Sequence, residues 1–447
     1  MPEYARDTIV AAATPPGKGG IGIVRISGDD AEKLALAMLG KVPQPRLATR
    51  AKIRNKNGDE LDSGIALYFP GPASYTGESV LEFHGHGGPV VVASVIDAAV
   101  ELGARRAAPG EFSKRAFLNG KLDLVQAEAI ADLIDSGTSQ AARAALRSLG
   151  GTFSHAVDNL QRQLVNLRLH VEAAIDFPEE EIDFLSDPNL LRKIDDCAEG
   201  FAKLQREATI GRVLRDGLQL VIVGKPNVGK SSLLNLLSGQ ETAIVTEVAG
   251  TTRDIIRERI EIDGLAVELV DTAGLREDPD RIEAEGIRRA REALQHADGI
   301  LWIQDASEGE AGDLDEQIPG EIPVIILRNK IDVTGDAPGR SRENPITLNV
   351  SAKTGAGIDD LRETIRQLAG YRDLGEGAFT ARRRHVEAIA FAEQHFRRGR
   401  QALEKNRAGE LLAEDLRLSH EALGEVTGSM SSDDLLGRIF SEFCIGK

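Results

Sequence analysis

The chain has 447 residues and a formal net charge of −17, and at roughly 100–200 residues per domain about three domains are expected. A 41% hydrophobic and 28% charged composition is ordinary for a globular protein and gives no indication of disorder, and the negative balance argues against a dedicated non-specific nucleic-acid binder. Two distant cysteines, Cys197 and Cys444, offer no disulfide framework and fit a reducing cytoplasm. No run of about 18 apolar residues could span a bilayer. The N-terminus lacks the basic start and apolar core of a secretory signal.

Residues 6–120 mix short β-like runs (Thr8-Ile-Val-Ala, Ile21 to Ile26, Val80 to Phe83) with glycine-rich turns and an alanine-rich helical pattern near 92–103. This predicts an α/β domain over residues 1–120. From Leu122 the apolar residues recur at helical spacing through Val125–Ile134, Ala141–Leu149 and Phe153–Ala174, which predicts a helical segment over 121–216. Strand-like runs return at Gln219–Val223, Arg257–Ile262, Glu268–Val270, Gly299–Ile303 and Pro323–Leu327. Strands alternating with helices predict a parallel sheet covered on both sides over 217–372. Residues 373–447 are helical again, and the two helical segments are expected to pack together with the sheet domain inserted between them. The basic stretch from Arg382, Arg383 and Arg384 through Arg397, Arg398, Arg400, Lys405 and Arg407 reads either as a solvated helix face or as a local basic patch.

The inserted domain carries four ordered motifs. Gly224-Lys-Pro-Asn227-Val228-Gly229-Lys230-Ser231, followed by Ser232, empties from an apolar run. Its glycines let backbone N–H groups turn toward phosphate oxygens, Lys230 adds a cation, and Ser231 can ligate magnesium at a helix N-terminus. Asp271-Thr272-Ala273-Gly274 offers a carboxylate for magnesium through water and an N–H for the third phosphate. Asn329-Lys330-Ile-Asp332 supplies a carboxylate that can accept from both the ring N–H and the exocyclic amine of guanine, a donor pair adenine lacks. Ser351-Ala352-Lys353 adds a base-side backbone donor. Together they predict a GTP site. Between the first two lies Gly250-Thr251-Thr252, where Thr252, with Thr251 beside it, is the expected mobile magnesium ligand rather than a helix cap.

Two positions depart from an ordinary Ras-like site. Leu275 stands where a glutamine would orient the attacking water, so one of the nearby carboxylates Glu277, Asp278, Asp280, Glu283 or Glu285 is expected to act instead. The side-chain carbonyl of Asn227 could hold a monovalent cation.

Asp7 to Gly28, Tyr75 to Pro89, Pro109 to Asp123 and the terminal Phe443-Cys-Ile-Gly-Lys447 together resemble the MnmE (TrmE) family of tRNA-modification GTPases, over essentially the whole chain. The resemblance implies an N-terminal folate-binding and dimerising domain, a discontinuous all-α domain and an inserted Ras-like P-loop GTPase domain. It implies a homodimer working with a flavoprotein, MnmG (GidA), which carries the FAD. The reaction implied is addition of an aminomethyl-type group at carbon 5 of the wobble uridine of certain tRNAs, using a tetrahydrofolate one-carbon unit. On matching positions potassium would be held by Asn227, Thr246, Val248 and Thr251, with Glu247, Ala249 and Gly250 in the same loop. Magnesium would be held by Ser231 and Thr252, and Glu283 would orient the water. Folate would be bound by Arg25, Glu82, Lys121 and Lys447; a carboxylate at Glu82 can read the pterin N–H and amino pair as Asp332 reads guanine. Cys444 has three readings: a prenylated cysteine, which Gly446 and Lys447 disfavour; a small buried hydrophobe; or an acid, base or nucleophile near the modification chemistry. A regulatory GTPase switch of the ribosome-assembly type is the alternative function, and a membrane-anchored signalling GTPase a distant third.

Overall fold

The structure, a computed structural model, describes residues 7–176, 188–225, 227–240, 257–271, 297–308, 322–370, 377–430, 433–441 and 443–446. The chain divides into two compact units, Met1–Ala131 with Leu416–Lys447, and Asp132–Asp415.

The first unit is built on a six-stranded sheet of β1 (Ile9–Ala12), β2 (Gly19–Ser27), β3 (Thr49–Arg54), β4 (Glu60–Phe69), β5 (Val80–Gly87) and β6 (Arg105–Arg106) in the order β3-β4-β5-β2-β1-β6. All pairings are antiparallel except β1 with β6. Val24 and Ile26 on β2 join Leu81 and Phe83 on β5 in a core covered by helices Ala31–Leu39 and Pro89–Glu101. Because side chains alternate along a strand, Arg25 projects to the other face. Its register partner on β5 is Glu82. Strands β3 and β4 have no counterpart in the sequence reading. Only Ala51 and Ile53 of β3 are buried, between charged residues, so the alternation is too short to stand out.

In the same unit, helices Glu111–Leu118 and Asp433–Ser441 contribute to a cluster of Leu124, Ala127, Leu436, Ile439, Phe440 and Phe443 with Phe117 packed against it. A Cβ at Gly110 would meet the Phe440 carbonyl at 2.5 Å, so glycine lets these segments touch.

The second unit combines long helices with a seven-stranded sheet. Helix Pro188–Asp216 lies against Thr152–Asp176 and Arg383–Asn406. Phe153 stacks on Phe379 with centroids 4.3 Å apart, and Phe201 lies 5.3 Å from Phe396. The helical segments before and after the inserted domain therefore pack together as expected. Cys197 is buried there, and burial pushes its thiol pKa up to about 12, which makes it inert.

The basic stretch 382–407 is largely engaged in ion pairs. Arg383 bonds Glu387, Arg397 bonds Glu393, Arg398 bonds Asp415, and Arg400 reaches both Glu404 and Asp195. Opposite charges at one helical turn account for three of these pairs and favour the solvated-face reading.

The sheet comprises β7 (Leu218–Val223), β8 (Arg257–Ile262), β9 (Leu265–Asp271), β10 (Gly299–Asp305), β11 (Val324–Asn329), β12 (Gly339–Glu343) and β13 (Ile346–Asn349), in the order β12-β13-β11-β10-β7-β9-β8. Its five central strands are parallel. Both edges, β8 and β12, are antiparallel, so the expected parallel sheet holds for the five central strands and not for the edges. The β8–β9 link is a two-residue turn, Asp263 and Gly264, both at positive φ, a geometry that favours antiparallel return over a crossover.

Candidate functional site

Three of the motifs, and Asp271 of the fourth, stand at the carboxyl ends of the sheet's strands, where open α/β sheets bind their ligands. The phosphate loop follows β7, Asp271 closes β9, Asn329 closes β11 and Ser351 lies just beyond β13.

The phosphate loop is shaped by close backbone approaches. A Cβ at Gly224 would stand 2.5 Å from the Ile303 carbonyl, and one at Gly229 would stand 2.3 Å from Asn329 Nδ2. Gly229 has φ +98° and Asn227 φ +64°, so the loop turns through left-handed backbone on either side of Val228. Val228 is buried and anchors the turn in the core, while Asn227 faces outward. Lys230 is buried and donates to the carbonyls of Gly224 at 2.7 Å and Lys225 at 2.9 Å. Ser231 and Ser232 are exposed in the first turn of helix Lys230–Gln240.

Asn329 ties this loop to the base side. Its amide donates to the Val228 carbonyl at 2.8 Å, and its side-chain oxygen accepts from the Ala352 N–H at 2.9 Å. Ser351, fully buried, donates from Oγ to Asp332 Oδ1 at 2.7 Å, which orients the carboxylate assigned to the guanine edge. Lys353 Nζ lies 3.9 Å from Asp332 Oδ2 and is exposed. Lys330 Nζ donates to Asp305 Oδ2 at 2.6 Å. Asp305 was absent from the sequence reading. Its one sequence signal is an acidic residue at the end of the apolar run Gly299–Ile303, as Asp271 ends Val267–Val270.

Thr246, Glu247, Val248, Ala249, Gly250, Thr251, Thr252, Thr272, Ala273, Gly274, Leu275, Glu283 and Lys447 lie outside the described residues, as do the other acidic candidates 277–285. Asp271 is described as the last residue of β9 only.

In the N-terminal unit, Arg25 Nε donates to Glu82 Oε1 at 2.8 Å, and Glu82 Oε2 lies 3.2 Å from His84 Nε2. The Arg25 guanidinium also sits 5.3 Å from the Tyr75 ring centroid and 5.6 Å from that of Phe112, within range of cation–π attraction. His84, Tyr75 and Phe112 were not singled out in the sequence; they reach Arg25 and Glu82 only through sheet register and loop packing. Lys121 donates to the Pro72 carbonyl at 2.9 Å, and no bond joins it to the Arg25–Glu82 pair among the described contacts.

The terminal tail packs against this unit. Gly446 has φ +97°, and a Cβ there would lie 1.9 Å from the Ala12 carbonyl. The Gly110 N–H donates to the Cys444 carbonyl at 3.3 Å. Phe443 is buried but Cys444 is exposed, which corrects its reading as a buried hydrophobe. Among the described residues no cluster of metal-ligating side chains occurs and no helix is long and apolar enough to cross a membrane.

Two family models match: the MnmE helical domain over residues 124–444 and the GTP-binding protein TrmE N-terminus over residues 8–121. The tRNA modification GTPase MnmE of Pseudomonas syringae pv. tomato is 54% identical over 452 residues, covering 99% of both chains. The chain belongs to the MnmE family of tRNA modification GTPases. The MnmE of Erwinia tasmaniensis is 52% identical over 450 residues, again covering 99% of each. A solved structure, Era of Aquifex aeolicus bound to GDP·AlF4−, aligns to 40% of this chain and 66% of that chain at 31% identity with a TM-score of 0.26. MnmE architecture accounts for the arrangement described: a TrmE-type N-terminal α/β domain, a helical domain and an inserted P-loop GTPase fold.

Proposed function

We propose that this MnmE-family GTPase drives addition of an aminomethyl-type group at carbon 5 of the wobble uridine of certain tRNAs, in the cytoplasm and with a flavoprotein of the MnmG (GidA) type. The observation that carries the reading is the seat of the terminal tail. Gly446 rests on Ala12, whose neighbour Ala11 is the register partner of Arg25, which in turn is paired with Glu82. A tail bearing an exposed cysteine is thereby held against the sheet that carries the residues assigned to folate.

Residues 1–120 bind folate and dimerise, 121–216 and 373–447 form the helical arm, and 217–372 hydrolyse GTP. The phosphate loop fits a polyphosphate: two glycines sit where a Cβ would collide, and the Lys230 ammonium rests on carbonyls that phosphate oxygens can replace. Asp332, oriented by Ser351, reads guanine, and the backbone of the segment Ser351–Lys353 supplies the base-side donor. Ser231 and Thr252 hold magnesium. Asn227, Thr246, Val248 and Thr251 hold potassium, which supplies positive charge beside the β- and γ-phosphates. Glu283 orients the water that Leu275 cannot, and contact between two GTPase domains orders the loop that encloses the potassium.

On the folate side, Glu82 retains acceptor capacity for a pterin donor pair while bonded to Arg25 and His84, because an ionised carboxylate offers about four lone-pair sites. Lys121 and Lys447 suit the anionic glutamate tail. A bound tetrahydrofolate derivative supplies the one-carbon unit; Cys444 acts as acid, base or nucleophile next to it.

Nucleoside mass spectrometry of tRNA from a strain lacking the protein tests the reading. Loss of the carbon-5 modified wobble uridine is expected. Unchanged uridines would refute it and favour a ribosome-assembly switch.

A further inference from the structure

We propose that Asp305 is a positioning residue for the guanine nucleotide, acting through Lys330. This deepens the proposed site: it rests on the GTP-binding loops of that reading and not on the tRNA chemistry. The Asp305 side chain is 9% exposed and its two oxygens have divided tasks. Oδ1 accepts from the Ser307 N–H at 3.0 Å and from the Ser307 hydroxyl at 2.6 Å, which locks the carboxylate plane. Oδ2 accepts from Lys330 Nζ at 2.6 Å. The pairing is set by the sheet, because Asp305 on β10 and Asn329 on β11 are register partners and Lys330 is the next residue.

A lysine left to itself does not hold one geometry, since its flexible four-carbon stem carries large rotamer entropy. Lys330 also has φ +71°, a backbone conformation that side-chain-bearing residues rarely adopt. The locked carboxylate fixes the far end of the stem, so the four-carbon chain spans the gap between β11 and β10 as a ledge. That ledge lies two residues before Asp332, whose own carboxylate is turned by Ser351. A base held at its edge by Asp332 would rest its ring on the ledge. The hydrogen bond from Lys330 first, then those from Ser307, hold the Asp305 pKa down to about 2, so the anchor stays ionised wherever the protein works.

Competition of GDP and IDP against a fluorescent GDP analogue, on the full-length chain, separates the edge reader from the ledge. Asp305→Ala is expected to weaken GDP and IDP by the same factor, about tenfold for a lost charged hydrogen bond. Lys330→Met should weaken both similarly, and adding Asp305→Ala to Lys330→Met should cost nothing further. Asp305→Asn keeps one acceptor, the amide oxygen, which can serve Lys330 while its NH2 takes the place of the oxygen that Ser307 contacts, so it should recover part of the loss and serves if the alanine variant misfolds. Additive effects of the two substitutions, an altered GDP-to-IDP ratio, or unchanged binding in Asp305→Ala would overturn the inference. Failure of the unsubstituted protein to bind GDP would instead sink the nucleotide-site reading on which it rests.

Discussion

The Asn329 side chain reaches across the end of the sheet to donate to the Val228 carbonyl at 2.8 Å, and one amide thereby braces the turn Asn227–Gly229 proposed to face the phosphates. Its oxygen holds the Ala352 N–H at 2.9 Å, so the base loop and phosphate loop share a single support. Asn329→Ala leaves a buried carbonyl and an N–H without these partners, at about 1–3 kcal/mol for each group left unpaired. GDP affinity is expected to fall between tenfold and several hundredfold, with a lower Tm, measured by fluorescent-nucleotide titration and thermal melting. An unchanged dissociation constant would show that the loops are held independently.

Gly229→Ala should act on the same contact from the opposite side. Its Cβ would lie 2.3 Å from Asn329 Nδ2 at a φ of +98°, and a left-handed conformation alone costs an alanine about 1–2 kcal/mol. Nucleotide binding measured by calorimetry should be lost while far-UV circular dichroism stays that of the folded chain. Normal binding would mean the loop has another conformation in solution.

GTP hydrolysis should be faster in potassium than in sodium, and equal rates would remove Asn227 from its proposed role. Glu283→Ala should lower turnover by about 10²–10⁴-fold, the range for a positioned acid–base group, with GTP binding near normal. Weakened binding would make Glu283 structural.

Asp132 links the chain segments that lead into and out of the nucleotide fold. Its Oδ1 accepts from Arg215 Nε at 2.8 Å, just before β7, and from Arg382 Nη2 at 2.9 Å, just before helix Arg383–Asn406. Removing a buried partner from an ion pair costs about 3–5 kcal/mol; with Arg215 at 33% exposure, about 2–3 kcal/mol is the expected loss for Asp132→Ala. Urea denaturation should show it as a lower midpoint, and Asp132→Asn, which keeps an acceptor, should lose less.

Arg115 is buried among Asp7, Glu78 and Glu111. The Arg105 hydrogen bond lowers the Asp7 pKa against the opposing effect of burial, and Arg115 adds to it. For Glu111 burial pushes the pKa up, yet bonds from Arg105, the Ala108 N–H and Arg115 bring it below the ordinary 4.5. Carboxylates with lowered folded-state pKa values contribute stability that is present above their ordinary range and lost as pH falls through the lowered values. The N-terminal unit should therefore lose stability below about pH 4, and Glu111→Gln should flatten that limb of a stability-versus-pH curve. An identical acid limb would exclude Glu111 as its source.

Local chemistry made much of this protein legible before any fold was known. The roles proposed for Gly224–Ser231, Asn329–Asp332 and Ser351–Lys353 each rest on a few consecutive residues, so the order of glycines, lysine and carboxylate survives in one dimension. The same holds for strands such as Leu218–Val223, whose apolar runs are continuous because both faces are covered. Strand β3 and the edge strand β12 were hidden, because a short strand with one solvent-facing side carries few apolar residues; β4 was missed as well, whereas the edge β8 was legible as Arg257–Ile262.

What only tertiary structure decided is which of these pieces touch. Asp305 is an isolated acid in the sequence, and it becomes the anchor of Lys330 because β10 and β11 lie side by side. Arg25 and Glu82 are 57 positions apart, and the tail at Gly446 meets Ala12 from the other end of the chain. Such pairings arise from strand register and from the space that glycine leaves for a neighbouring backbone. Those constraints act between segments distant in sequence, so no local window of residues contains them.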